Sequence, residues 1–190
     1  MKVSKNCINL IIEFEGFRND AYDDGFENLT IGIGHCASDV YKGEHLTDSE
    51  VYELFYKDIA RFEENVNKYD YKYKWSQNEF DALVSFAFNI GSIDELVRYG
   101  DLDKKDICDR MLLYCHAGGE VVKGLQRRRK AEVELYKKDN KDTGYYFNLI
   151  TATLSGKYGN GEEREHKLGN DYNIVQGAIN TMYDYLRKNM

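Results

Sequence analysis

The chain has 190 residues, 42% hydrophobic and 31% charged, with a formal net charge of −7. That length holds one ordinary domain and a small module, and the composition excludes a disordered chain. The negative charge argues against a nucleic-acid partner, and no apolar run approaches a membrane span, so no stable membrane insertion is expected.

The first helix is predicted over residues 4–15. Ser4 is a suitable N-cap, and Ile8, Ile11 and Ile12 recur at helical spacing as a buried stripe. Glu15 continues that series, and Gly16 supplies the residue that ends the helix. An acid on an apolar face, at the negative end of the helix dipole, is favoured in its protonated form. That form is what a general acid needs; a buried glutamate satisfied by an arginine fits the same position. Asp23-Asp24-Gly25 reads as a turn, which leaves Asp24 wet and ionised. Leu29, Ile31 and Ile33 then alternate with Thr30, Gly32 and Gly34, a strand with one aliphatic face and one nearly bare. Glycines on a strand leave room for a close approach, and a sugar chain is the candidate occupant. Two carboxyls in unlike surroundings beside a cleared strand face are the components of a glycoside hydrolase site.

Residues 36–46 are irregular and polar. Thr47-x-x-Glu50 is a capping box, and Val51, Leu54, Phe55, Ile59, Phe62 and Val66 follow on one face of a long helix. Ser76-x-x-Glu79 is a second box, with Trp75 placed as a staple. The helix after it, from Phe80 to Phe88, is apolar nearly all round and belongs in the middle of a bundle. It ends at Asn89-Ile90-Gly91, where Asn89 suits a C-cap. A helix over 104–116 carries Cys108 and Cys115 on one buried face, and a helix from about 125 to 137 opens on Arg127-Arg128-Arg129. Neither the spacing of the four cysteines nor the adjacent His35-Cys36 forms a metal-ligand pattern, so no metal and no cofactor are expected.

Residues 137–144 are polar and helix-breaking. They divide the chain into a domain over 1–138, a linker over 139–144 and a module over 145–190. Three helices are predicted in the module, at 145–155, 162–168 and 173–188, with Ile174, Val175, Ala178, Ile179, Met182 and Leu186 as the stripe of the last. A unit of that size is near the lower limit of independent stability.

Glu15, Asp24 and Thr30, followed by TIGIGH, match a Glu-x8-Asp-x5-Thr signature; SQNEFDALVSFAFNIG and AGGEVVKGLQRRRKAEVELY follow in order. Over residues 5–137 the chain therefore resembles the phage-type lysozymes of glycoside hydrolase family 24. The resemblance implies an α+β, mostly α fold: a two-lobed domain with a small sheet lobe, a helical lobe and a cleft between them. It implies inverting hydrolysis of the β-1,4 bond between N-acetylmuramic acid and N-acetylglucosamine in peptidoglycan. Glu15 would protonate the leaving oxygen, Asp24 would activate or position the water and Thr30 would help hold it. Gly32 and Asn89 would contact substrate, one of Arg127, Arg128 and Arg129 would approach Glu15, and Asp58 would pair with His35.

The segment LSGKYGNGEEREHKLGNDYNIVQGAIN resembles the wall-binding repeat of some Gram-positive phage lysozymes, with Tyr158 in place of a tryptophan. The implied contacts are Arg164 to a carboxylate and Tyr158 or Tyr172 to a sugar, although as residues alone the tyrosines fit a core as well. Residues 1–138 carry 20 basic against 26 acidic side chains, and the rest 6 against 7. Charge alone therefore cannot hold the protein to an anionic wall. The N-terminus shows no signal-peptide pattern. The expectation is a monomer in the host bacterial cytoplasm before lysis, released to the wall by a partner holin.

Overall fold

The computed structural model describes residues 1–23, 25, 29–138 and 143–189. They fall into two compact units, Met1–Asp139 and Asn140–Met190. Residues 139–142 of the expected linker lie outside the described residues.

In the first unit, α1 (Lys5–Glu15) starts at Ser4, whose side chain accepts from the Asn6 N–H. The same residue ties α1 to the helical core: its N–H donates to Asp81 Oδ1 at 3.0 Å and its hydroxyl to Asp81 Oδ2. The helix ends at Gly16, whose N–H donates to the Ile12 carbonyl at 2.8 Å. Strands β1 (Arg18–Asp23), β2 (Leu29–Gly32) and β3 (His35–Cys36) form an antiparallel sheet in that order. Tyr22 stands opposite Thr30, and Ile31 opposite His35. Helix α2 (Asp48–Asn67) opens on the Thr47–Glu50 capping box and leads from the sheet lobe to the helical lobe. After the short α3 (Asp70–Tyr73), Trp75 stacks on Tyr73 with ring centroids 4.5 Å apart and donates from Nε1 to the Val66 carbonyl.

Helix α4 (Gln77–Ile90) starts at the Ser76–Glu79 box. Its Phe80, Ala82, Leu83, Val84, Phe86 and Ala87 are fully buried. It packs against α1, α2 and α6 (Lys123–Lys137), and each large side chain so covered contributes about 1.5–3 kcal/mol.

The predicted helix over 104–116 is corrected: α5 covers only Ile107–Met111, after a single tight turn at Lys104–Asp106. The chain must leave the helix early to enter a hairpin, β4 (His116–Ala117) with β5 (Glu120–Val121). Its turn places Gly118 and Gly119 at φ 59° and 87°, a pair of left-handed residues that twists with the strands. Cys115 is therefore off the helix that carries Cys108, although both are buried.

The second unit comprises α7 (Thr143–Leu154), α8 (Glu162–Leu168) and α9 (Tyr172–Asn189). Leu168, Val175 and Ile179 form its buried centre, with Tyr146, Leu149, Ile150, Tyr158 and Tyr172 packed against them. The expected stripe on α9 is only partly covered: Ile174, Met182 and Leu186 are about half exposed. For Met182 and Leu186 the reason is length, because α9 has 18 residues against 12 in α7 and 7 in α8; Ile174 stands on the solvent side of the buried Val175. The chain is thus α+β and mostly α: a small sheet lobe and a larger helical lobe, followed by a three-helix unit.

Candidate active site

Glu15 closes α1, and its side chain is 26% exposed. Its Oε1 accepts from Arg128 Nη1 of α6. Arg128 is buried and also donates from Nη2 to the Ser85 carbonyl at 3.3 Å and from Nε to Glu132 Oε1 at 3.2 Å. The next residue, Arg129, is fully buried over the Phe86 ring at 4.7 Å and donates from Nη2 to Asn89 Oδ1 at 2.8 Å. Arg127, by contrast, is exposed. Of the arginine triplet, Arg128 meets the acid and Arg129 meets the amide at the end of α4.

Glu132, absent from the sequence expectations, joins the two arginines. It is fully buried, and its Oε1 also accepts from Arg129 Nη2 at 3.2 Å and from Ser85 Oγ at 3.0 Å. Its Oε2 lies 2.9 Å from Arg129 Nε, close as an ion pair but with an angle too poor for a hydrogen bond. Burial pushes the Glu132 carboxyl up, against the pull of Arg129 and Arg128, and burial lowers Arg129, against the pull of Glu132. Removing one partner from such a buried charge group costs about 3–5 kcal/mol. A sequence signal was available: Arg128, Arg129 and Glu132 share a helical face with the buried Val133 and Tyr136.

Gly34 supplies the close approach expected of the strand glycines. It lies in the turn after β2 at φ 73°, and a Cβ there would stand 3.4 Å from both Cβ and Oε2 of Glu15. Glycine alone fits such a backbone without strain. Gly32 does not share this role: a Cβ on it would meet Val51 Cγ1 at 3.6 Å and Leu54 Cδ2 at 3.9 Å, so it faces α2. Strand β2 ends at Gly32, and the chain turns before Gly34. Thr30 is buried on β2. Asp24 lies outside the described residues, between Asp23 of β1 and Leu29 of β2, which are partners in the sheet.

A cavity of about 350 Å³ opens beside Gly34, lined also by His35, Asp58, Phe62 and Phe88. Asp58 Oδ2 stands 2.8 Å from His35 Nδ1, as expected, and Asp39 Oδ1 stands 3.2 Å from Nε2. Burial works against protonation of His35, but the bonds to Asp58 and Asp39 outweigh it and raise its pKa. Among the described residues, no group of three or more His, Cys, Asp or Glu side chains is placed to hold a metal ion.

In the second unit, Arg164 turns inward on its own loop. It donates to the Gly159 carbonyl from Nε and Nη2, to Asn160 Oδ1, and to Gln176 Oε1 of α9 at 2.9 Å. Tyr158 and Tyr172 are half-buried against the core.

Residues 12–132 match the Phage lysozyme family, and residues 148–182 match the CW_7 repeat. The endolysin of Lactococcus phage c2 is 40% identical over 141 residues, which are 73% of this chain and 61% of that protein. The chain thus spans about three fifths of the length of that curated relative. Among solved structures, the muramidase domain of SpmX from Asticaccaulis excentricus is 30% identical with a TM-score of 0.62, covering 73% of this chain and 99% of that one. The endolysin from Escherichia coli O157:H7 phage FAHEc1 is 29% identical with a TM-score of 0.63, covering 73% and 94%. With the match over residues 12–132 taking in more than half of its length, the chain belongs to the phage lysozyme family.

Proposed function

We propose that this chain acts as a phage or prophage endolysin, hydrolysing the β-1,4 bond between N-acetylmuramic acid and N-acetylglucosamine in bacterial peptidoglycan. The observation that carries the reading is the partly exposed Glu15 carboxylate, held by the buried Arg128 where Gly34 closes on it. Arg128 engages Oε1, so Oε2 is the oxygen left to carry a proton to the glycosidic oxygen. As the bond from C1 to the leaving oxygen breaks, a water attacks C1 from the opposite face and gives its proton to Asp24. The anomeric configuration inverts, as a water set between two separated carboxyls requires. Thr30 helps hold that water, and Asn89 contacts the saccharide.

Residues 1–138 carry this chemistry, residues 139–144 link, and residues 145–190 retain the protein on the wall. The match to the CW_7 repeat supports the last assignment. Tyr158 and Tyr172 offer partly exposed rings to a sugar, and Arg164 shapes the loop after Tyr158 through its bonds to Gly159, Asn160 and Gln176, with its second Nη1 hydrogen left for a carboxylate. No described helix is long and apolar enough to cross a membrane. We also propose a monomer that waits in the host bacterial cytoplasm and reaches the wall through a partner holin.

The test is turbidity loss on purified walls, followed by mass spectrometry of the fragments. Hydrated reducing ends on N-acetylmuramic acid are expected. Anhydro ends would reassign the chain to lytic transglycosylation, and intact glycan to a binding role alone.

A further inference from the structure

Glu132 lies behind the cleft, yet it bonds to both buried arginines of the candidate site. Arg128 carries its influence to Glu15, and Arg129 carries it to Asn89. We infer that Glu132 is a positioning residue that, through Arg128 and Arg129, sets Glu15 and the Asn89 amide as one unit, with the Asn89 NH2 offered to a hydrogen-bond acceptor on the saccharide, such as an acetamido carbonyl. The inference rests on the proposed role of Glu15.

Arginine can only donate, so the contact with Arg129 fixes the Asn89 amide with its oxygen turned to the guanidinium. The NH2 is then the group left for a ligand. Stability does not account for the arrangement, since well-packed apolar residues commonly replace buried ion networks without loss. Val133 and Tyr136 on the same face show that apolar side chains fit there. The network also leaves Arg129 Nη1 without a hydrogen-bond partner among the described residues. What it does supply is direction for two forks and charge balance, with two guanidiniums against Glu15 and Glu132. The other titratable groups around it include Cys7 of α1, whose pKa burial raises, Asp81 of α4 and Glu63 of α2, which both act on Cys7, and Cys115 before β4.

The experiment uses full-length Glu132→Gln on a soluble peptidoglycan oligomer. The expected result is a fall in kcat of up to about 10²-fold, as for a misplaced catalytic group, with a several-fold rise in KM. The alkaline limb of the pH–rate profile moves to lower pH, because two guanidiniums are left with one carboxylate. Asn89→Ala raises KM alone, and its effect is non-additive with Glu132→Gln in a double-mutant cycle. A variant that loses only thermal stability, with wild-type kcat, KM and pH limb, would overturn the inference. If Glu132→Gln does not fold, Ser85→Ala removes one hydrogen bond from Glu132 and no charge: a several-fold loss of kcat supports positioning, and wild-type kinetics overturn it. NMR supplies a readout independent of turnover. The Asn89 side-chain amide should give one well-resolved pair of signals in the wild type and an averaged pair in Glu132→Gln; unchanged signals would sink the claim. An inactive wild type that still shows this loss would place the failure in the proposed function, not in the positioning.

Discussion

Helices α4 and α9 both carry a wide apolar face, but their surroundings differ. Around α4, three helices close in, and everything from Phe80 to Ala87 is buried. Around α9, two shorter helices cover Val175 and Ile179 and leave Ile174, Met182, Tyr185 and Leu186 to solvent. A core of the first kind excludes enough water to hold Arg128, Arg129 and Glu132 inside it, where their directions are fixed by one another. A core of the second kind holds three helices together and keeps its rings near the surface. The first unit thus has the means to aim a carboxylate, and the second has the means to present a face.

The sharpest way to break that contrast is Glu15→Gln. The amide keeps a hydrogen-bond acceptor for Arg128 but cannot protonate a leaving group. Activity on purified walls should fall by about 10²–10⁴-fold, the range of general acid catalysis, while wall sedimentation, assigned to the second unit, stays unchanged. Retention of more than a tenth of the activity would mean the proton comes from elsewhere.

Next in size is a pair of truncations that weighs the two cores directly. Phe86→Ala empties a fully buried site between α4 and α6 and should cost about 3–5 kcal/mol. Leu186→Ala removes a half-exposed side chain at the far end of α9 and should stay within about 0.5 kcal/mol. Urea unfolding followed by the single tryptophan, Trp75, reports on the first unit; far-ultraviolet dichroism reports on both. A cost above about 1 kcal/mol for Leu186→Ala would show that something covers that face in solution.

The same contrast explains what could be read in the sequence. Both capping boxes, the α1 cap at Ser4 and the buried α4 depend on neighbours a few residues apart, so local spacing reveals them. Strand β1, RNDAYD, has no apolar alternation; it exists because β2 offers it hydrogen bonds. The hairpin at Gly118-Gly119 cuts α5 short for a similarly non-local reason. The arginine triplet looks solvated as a run of charge, and only its register with Val133 and Tyr136 marks two of its members as buried. Gly32 and Gly34 share a face on paper, but β2 ends between them. On α9 the periodicity is sound, yet periodicity cannot say how many partners a stripe will find.

A smaller effect separates the units by function. Truncation after Lys138 should leave cleavage of soluble oligomers nearly unchanged and reduce lysis of intact walls by about tenfold or more, since a tethered second site raises effective concentration. Arg164→Ala should weaken wall sedimentation of the full chain by releasing the loop at Gly159 from Gln176, with helicity retained. Equal wall lysis by truncated and complete protein, at low and at physiological salt, would leave the second unit without a role in retention.

The smallest effect asks whether the rim of the first unit is held as its centre is, by charges that orient one another. His35 sits between Asp58 and Asp39, and although burial opposes its protonation, their hydrogen bonds raise its pKa above 6.5. A raised folded value means that its contribution to stability is complete below pH 6.5 and is lost as pH rises through that folded value. The bond to His35 lowers Asp39 below 3.8, so its contribution is present above pH 3.8 and is lost as pH falls through the lowered value. Both contributions are therefore in place between pH 3.8 and 6.5. Unfolding free energy should decline as pH rises above 6.5 in the wild type and stay flatter there in His35→Asn. The Asp58 side chain is 26% exposed, which keeps its coupling to His35 to about 1 kcal/mol or less. A double-mutant cycle of His35→Asn with Asp58→Asn at pH 5.5 measures that coupling. Strict additivity would mean that the rim pair exerts no hold, and that orientation by charge in this unit is confined to the buried group around Glu132.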